Sequence, residues 1–176
     1  YAVYHGPQGL KRIAERVHTQ ATLLAAALRR VRYHVVQRHF FDTVAVEVRP
    51  ANLSRILDAA RSRRINLRVL DSHHLSVALD ETVSVADLSD LISIFSLDVA
   101  LPHMLGDSGT HTETPIPDQL QRTSAFLTHP VFRRCHSETE MLRYIKRLEA
   151  KDLSLTSAMI PLGSCTMKLN ATTEMM

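Results

Sequence analysis

The chain has 176 residues, 45% of them apolar and 22% charged, with a formal net charge of +3. That is the composition of a soluble globular protein long enough to bury a core without disulfides or a structural metal, and its charge gives little reason to expect a nucleic-acid partner. No apolar run approaches the ~18 residues that span a bilayer, and Lys11, Arg12, Glu15 and Arg16 do not fit a signal peptide, so membrane insertion and secretion are both disfavoured.

In chain order, Leu10, Ala14, Val17, Ala21, Leu24 and Leu28 recur at steps of four and three, which predicts a long helix from about Gly9 to Arg30 with one packed stripe. Val44, Val46 and Val48 alternate with Ala45, Glu47 and Arg49, the period of a half-buried strand, closed by Pro50. Asn52 is a candidate N-cap for a helix carrying Leu53, Ile56, Leu57 and Ala60. Ile65, Leu67 and Val69, a polar turn Asp71-Ser72-His73-His74, and Leu75, Val77 and Leu79 predict a hairpin. Ser84 and Asp87 form a capping-box pattern ahead of Leu88, Leu91, Ile92 and Phe95. The order predicts an α+β layer, a small antiparallel sheet with its helices on one face.

From Leu97 to about Cys135 the periodicity fails and prolines and glycines punctuate the chain, as expected of a connector between two structural units. A new unit starts at Ser137-Glu138-Thr139-Glu140, a second capping box, followed by Met141, Leu142, Ile145 and Leu148 on one helical face. The chain stops at Met175-Met176 where a further helix would begin, so a fragment of a longer protein is expected.

Chemistry concentrates in Gly163-Ser164-Cys165-Thr166, where small polar residues would let backbone N–H groups and hydroxyls approach a carboxylate or phosphate, with Lys168 nearby. By composition alone the segment is also an ordinary turn, and it has neither P-loop nor dinucleotide glycine spacing. Asp71 with His73 and His74, or His103, His111 and His129, invite a metal reading, but adjacent histidines in a strand point to opposite faces and a solvated turn is favoured. His136 stands immediately before a helix cap, with a local hydrogen-bonding role favoured. The arginine clusters 29, 30, 32 and 61, 63, 64 fall at helix C-termini, where the macrodipole accounts for them, and no aromatic residues interleave with them to stack on bases. Cys135 and Cys165 read as reduced thiols in a reducing compartment. Of the four lysines, 11, 146 and 151 lie on predicted helices, which leaves Lys168 as the only imine-forming amine that composition would suggest.

Arg122 through Phe132, His136-Ser137-Glu138-Thr139-Glu140-Met141 and Met159 through Asn170 together resemble the pyridoxal-phosphate-dependent glycine decarboxylases, the P-proteins of the glycine cleavage system. Residues 122–174 match that family in order and spacing. Tyr4-His5-Gly6-Pro7-Gln8-Gly9-Leu10, Phe40-Phe41-Asp42-Thr43 and Leu79-Asp80-Glu81-Thr82-Val83 extend the likeness, while residues 97–121 are not distinctive.

The resemblance implies an aminotransferase-like type I fold, fused from two halves in one long polypeptide. On that basis residues 1–96 would be the end of a first-half large domain plus its small α+β domain, 97–136 an irregular connector, and 137–176 the opening helix and loop of the second half. It further implies pyridoxal 5'-phosphate as cofactor, glycine and a lipoylated H-protein as partners, a homodimer of the full-length protein, and a cytoplasmic location in bacteria or a mitochondrial one in eukaryotes. Neither nucleic acid, membrane nor metal is expected. Ser164, Cys165 and Thr166 would contact the cofactor, with His136, Ser137 and Lys168 in the active-site neighbourhood. The family's Schiff-base lysine lies in a His-Lys context downstream of Met176, so Lys168 is not that residue, no catalytic residue is assigned, and this stretch alone is expected to be inactive. The alternatives are a stand-alone small α+β binding or regulatory module and, more remotely, a basic nucleic-acid adaptor.

Overall fold

The computed structural model describes residues 1–96 and 116–151. They divide into two compact units, one from Tyr1–Pro7 and residues 126 onward, the other from Gln8–Ala125.

The second of these is an α+β layer. Helix α1, Ala2–Arg30, begins in the first unit and is interrupted at Gly6, whose φ of 63° and ψ of 179° are non-helical. Pro7 follows the break, where its missing N–H and fixed φ suit the first turn of the longer segment. The predicted start at Gly9 therefore marks the onset of the apolar stripe rather than of the helix. Val17, Ala21, Leu24, Ala25 and Leu28 are buried along that stripe.

The sheet has four antiparallel strands in the order β1-β2-β4-β3: β1 His34–Val35, β2 Thr43–Glu47, β3 Arg68–Val69 and β4 His74–Ala78. The register pairs Val44 with Val77 and Val46 with Leu75, so the alternating valines and leucines share one face. That face joins α1, α2 (Pro50–Ser62) and α3 (Val85–Ser96) in a single core around Leu24, Leu28, Ile56, Ile94 and Phe95. On the opposite face Ala45 stands across from Ser76, and both are buried although the pattern predicts exposure there. The predicted hairpin is present, but its first strand shortens to Arg68–Val69, and both of those residues are exposed. Two-residue edge strands leave little unpaired backbone for another chain to join. Beyond β1 the Gln37 side chain stands in for a strand, its Oε1 accepting from Ala45 N at 2.8 Å.

Helix ends explain most of the local sequence. At α3, Ser84 N donates to Asp87 Oδ2 at 2.8 Å and Asp87 N to Ser84 Oγ at 3.2 Å, the reciprocal capping box that the spacing predicts. Helix α2 differs from expectation: it starts at Pro50, the cap position is Arg49, and no side chain caps it. Asn52 is instead inside the first turn, its N–H bonded to Arg49 O at 2.8 Å.

Both arginine clusters sit at helix C-termini, in a more specific arrangement than dipole contact. Tyr33 N reaches Leu28 O and Arg32 N reaches Arg29 O, each at 3.0 Å, with Arg32 at φ 66°. Ile65 N reaches Ala60 O and Arg64 N reaches Arg61 O, each at 2.9 Å, with Arg64 at φ 59°. These are two Schellman motifs, with arginine in the left-handed position that glycine usually takes.

In the first unit, 3-10 turn Pro130–Arg133 leads to helix α4, Glu138–Glu149, capped by Ser137. Ser137 Oγ accepts from Glu140 N at 3.3 Å and lies 3.0 Å from Glu140 Oε2, so its hydroxyl donates to the carboxylate. The apolar stripe of α4 is open among the described residues, with Leu142, Ile145 and Leu148 all exposed. Of the span expected to be an irregular connector, residues 116–136 contain this turn and a second one, Asp118–Leu120.

Candidate functional site

The described residues bring two of the quoted sequence stretches together within the first unit, Tyr4-His5-Gly6-Pro7 and Phe132 through Ser137. A carbonyl oxygen can only accept, so the 2.6 Å contact between His136 Nδ1 and Tyr4 O requires Nδ1 to carry the proton. The imidazole is thereby fixed in one tautomer, with Nε2 left as an acceptor when the ring is neutral. Gly6 makes this approach possible. A Cβ built on it would lie 2.7 Å from Phe132 O and 2.9 Å from His136 Cε1, and its φ of 63° is one that L side chains rarely adopt.

Aromatic rings pack around the clasp. His5 lies 4.4 Å from the Tyr1 ring and edge-on to Tyr4 at 5.4 Å. His129 has the opposite polarity to His136: its Nδ1 accepts from Val131 N at 3.2 Å, which caps the turn Pro130–Arg133 and places the proton on Nε2. Cys135, next to His136, is buried and carries a free thiol.

The sequence-derived site residues divide as follows. His136 and Ser137 are adjacent at the start of α4, His136 held by Tyr4 and Ser137 engaged as the helix cap. The Ser137 hydroxyl is occupied at both its donor and acceptor sides, so its role here is to start the helix. Ser164, Cys165, Thr166 and Lys168 lie outside the described residues. Sequence alone does not single out the partners Tyr4 and Gly6 as site residues. Their signal is a glycine directly before a proline inside a helical pattern, which marks a backbone break.

The metal reading of Asp71, His73 and His74 has a simple resolution. Asp71 Oδ1 accepts from His73 N at 2.7 Å, and His74 Nδ1 lies 2.9 Å from both carboxylate oxygens. The His73 backbone N–H, then the His74 side chain, hold the Asp71 carboxyl below its ordinary value. The carboxylate closes the turn between β3 and β4. Among the described residues no three His, Cys, Asp or Glu side chains could together hold a metal ion. Likewise, no helix among them is long and apolar enough to cross a membrane.

Comparison with known proteins bears directly on these stretches. Residues 1–95 match the family model described as glycine cleavage system P-protein. The chain is 50% identical over 180 residues to the glycine dehydrogenase (decarboxylating) of Nostoc punctiforme, covering 99% of this chain and 18% of that protein. It is 55% identical over 180 residues to glycine dehydrogenase (decarboxylating) 2 of Pseudomonas aeruginosa, with the same coverage of 99% and 18%. The mitochondrial glycine dehydrogenase (decarboxylating) of Dictyostelium discoideum is 49% identical, again over 99% of this chain and 18% of the relative. The chain thus spans about a fifth of the length of these relatives, and it belongs to the family of glycine cleavage system P-proteins.

Proposed function

We propose that this chain is part of a pyridoxal-phosphate-dependent glycine decarboxylase that releases CO2 from glycine and passes the aminomethyl group to the lipoyl arm of an H-protein. The observation that carries this reading is 55% identity across 99% of the chain to a protein named for glycine decarboxylation. Residues 1–96 then close a first aminotransferase-like half, 97–136 connect, and 137–176 open the second. The full-length protein is a homodimer, cytoplasmic in a bacterium or mitochondrial in a eukaryote.

The described residues do not by themselves fit the cofactor. Lys11 lies 3.7 Å from Glu15 and Lys146 2.8 Å from Glu149, and Lys151 is exposed just past the end of α4, so none of the three described lysines is placed to form an imine. Pyridoxal phosphate supplies an electron sink when bound, and its Schiff-base lysine belongs to a part of the protein beyond this chain. Ser164, Cys165 and Thr166 are assigned to the cofactor end of the cleft, with Lys168 nearby. The contribution of the described residues is positional: Tyr4 and Gly6 hold His136 with Nε2 available to accept a hydrogen bond, and Ser137 starts the helix that follows.

The test is made on a full-length polypeptide containing this segment. With pyridoxal phosphate and lipoylated H-protein it releases labelled CO2 from carboxyl-labelled glycine, whereas the 176-residue chain alone releases none. Thr166→Trp in the full-length protein diminishes the glycine-dependent change in cofactor absorbance while leaving the far-UV circular dichroism intact. Absence of CO2 release from the full-length protein overturns the activity. An unaffected Thr166→Trp variant removes the assignment of the loop.

A further inference from the structure

The second unit carries a groove of about 430 Å³ where the end of β2, the start of β1 and the β3–β4 turn meet. One wall is apolar, with Tyr33, Val48 and Phe95, and the Tyr33 and Phe95 rings meet edge-on at 5.4 Å. The remainder is polar and cationic: Arg32, Arg49, His34, His73 and Asn52 line it. Glu47 is the single carboxylate in the lining, and His34 Nδ1 engages it at 3.1 Å.

What distinguishes this groove is that two guanidinium groups from separate elements line it together. Arg16 donates to the Glu81 and Val83 carbonyls, Arg61 pairs with Asp58 at 2.9 Å and Arg63 with Asp90 at 3.5 Å. The Arg32 and Arg49 guanidinium groups, like those of Arg12, Arg30 and Arg68, have no hydrogen bond or ion pair among the described residues. Neither is held by its position in a helix interior. Arg32 follows the C-terminus of α1 and Arg49 precedes the N-terminus of α2, so two separate elements bring two uncompensated guanidinium groups to one concavity. With His34 engaged by Glu47, two planar five-donor cations, the His73 imidazole and the Asn52 amide around a concavity form a donor set for an oxyanion, and arginine forks match phosphate oxygens in pairs. The macrodipole of α1 accounts for a cation at position 32, whereas neither it nor the proposed glycine chemistry calls on Arg49.

We propose that this groove binds a phosphate group, with Arg32 and Arg49 as the principal donors and the partly exposed Tyr33 ring, backed by the buried Phe95, accommodating an apolar substituent on a phosphate monoester. Phosphate could reach it as the free ion or as the head of a monoester, and the wall favours the ester.

The experiment is a two-dimensional amide NMR titration of the 176-residue chain at low ionic strength with inorganic phosphate and, separately, with phenyl phosphate. Saturable shifts are expected at residues 32–34, 48–52 and 73, with phenyl phosphate binding several-fold more tightly than the free ion. Arg32→Gln and Arg49→Gln each weaken both ligands about tenfold, the loss of one charge-assisted contact, and the double variant abolishes saturation. Arg143→Gln/Arg147→Gln on α4 leaves both affinities unchanged. Shifts that rise linearly without saturating, or saturation that survives in the Arg32→Gln/Arg49→Gln variant, overturn the proposal. Equal affinity for the two ligands removes the role of the aromatic wall and leaves a site for the free ion.

Discussion

Replacing Gly6 with alanine tests the clasp on which the candidate site rests. The glycine sits at φ 63° and ψ 179°, a region that is essentially restricted to glycine. Forcing an L residue into it costs about 1–3 kcal/mol. The new methyl would also lie 2.7 Å from Phe132 O and 2.9 Å from His136 Cε1. The first neighbour is backbone and cannot swing away, so the segments must separate, and the 2.6 Å bond from His136 to Tyr4 O is lost with them. That bond adds roughly 1 kcal/mol, for a total of about 2–4 kcal/mol borne locally. Hydrogen exchange read by mass spectrometry on residues 1–7 and 129–137 should show protection falling by one to three orders of magnitude. The side-chain Nδ1–H resonance of His136, visible because it is held by a carbonyl, should broaden into exchange with water. Amides of β2 and β4 should keep their protection. A Gly6→Ala chain with unchanged exchange in both segments would refute the reasoning, because it would mean that the backbone at Gly6 relaxes freely.

Three further outcomes follow from the second unit. Leu28→Ala removes a fully buried side chain between α1 and the sheet and should cost about 2–5 kcal/mol, read as a lower urea midpoint; a change within 0.5 kcal/mol would mean that the core closes over the gap. Arg64→Gly relieves a left-handed arginine at φ 59° whose Schellman bonds are backbone-only, so it should stabilise by about 0.5–1 kcal/mol, and a lower melting temperature would contradict the motif. The Asp87 carboxyl is held below its ordinary 3.8, first by the Ser84 hydroxyl and then by the Ser84 N–H. A lowered folded-state value means that this stabilisation is complete above the unfolded value and disappears as pH falls through the folded one. Acid titration of Asp87→Asn beside the parent should therefore show the two stability curves converging below about pH 4, and parallel curves down to pH 2 would sink the assignment.

The parts of the fold that sequence made legible are those in which a side chain enforces a periodic or reciprocal pattern. The valines of β2 and Leu75 and Val77 of β4 alternate because one face meets α1, α2 and α3, and the register confirms that they share it. Ser84 with Asp87, and Ser137 with Glu140, are visible because each cap needs two residues at a fixed spacing. What escaped is held by backbone groups, which leave little trace in residue type. Strand β1 is two residues long and owes its place to pairing with β2 and to Gln37, with no alternation to reveal it. Helix α2 begins without a capping side chain, so the nearest asparagine puts the boundary three residues too far along. Ala45 and Ser76 are buried because both are small and face each other across the central strands, a fact of register that neither stretch contains alone.

The candidate site follows the same division. His136 could be singled out because it precedes a cap, but its partner is a main-chain oxygen 132 positions away, and an oxygen that every residue possesses carries no sequence signal. Gly6 is the one trace that such a contact leaves, since only close backbone approach with a positive φ makes the loss of a side chain advantageous at that position. The arginines show the converse. At positions 32 and 64 the backbone takes the left-handed turn that glycine would enter more easily, and arginine occupies both. Arg32 differs from Arg64 in lining a groove beside Arg49, so a phosphate contact would account for arginine at position 32 while leaving Arg64 open to replacement. Arg32→Gly should then stabilise the fold much as Arg64→Gly does, while only Arg32→Gly weakens phosphate binding.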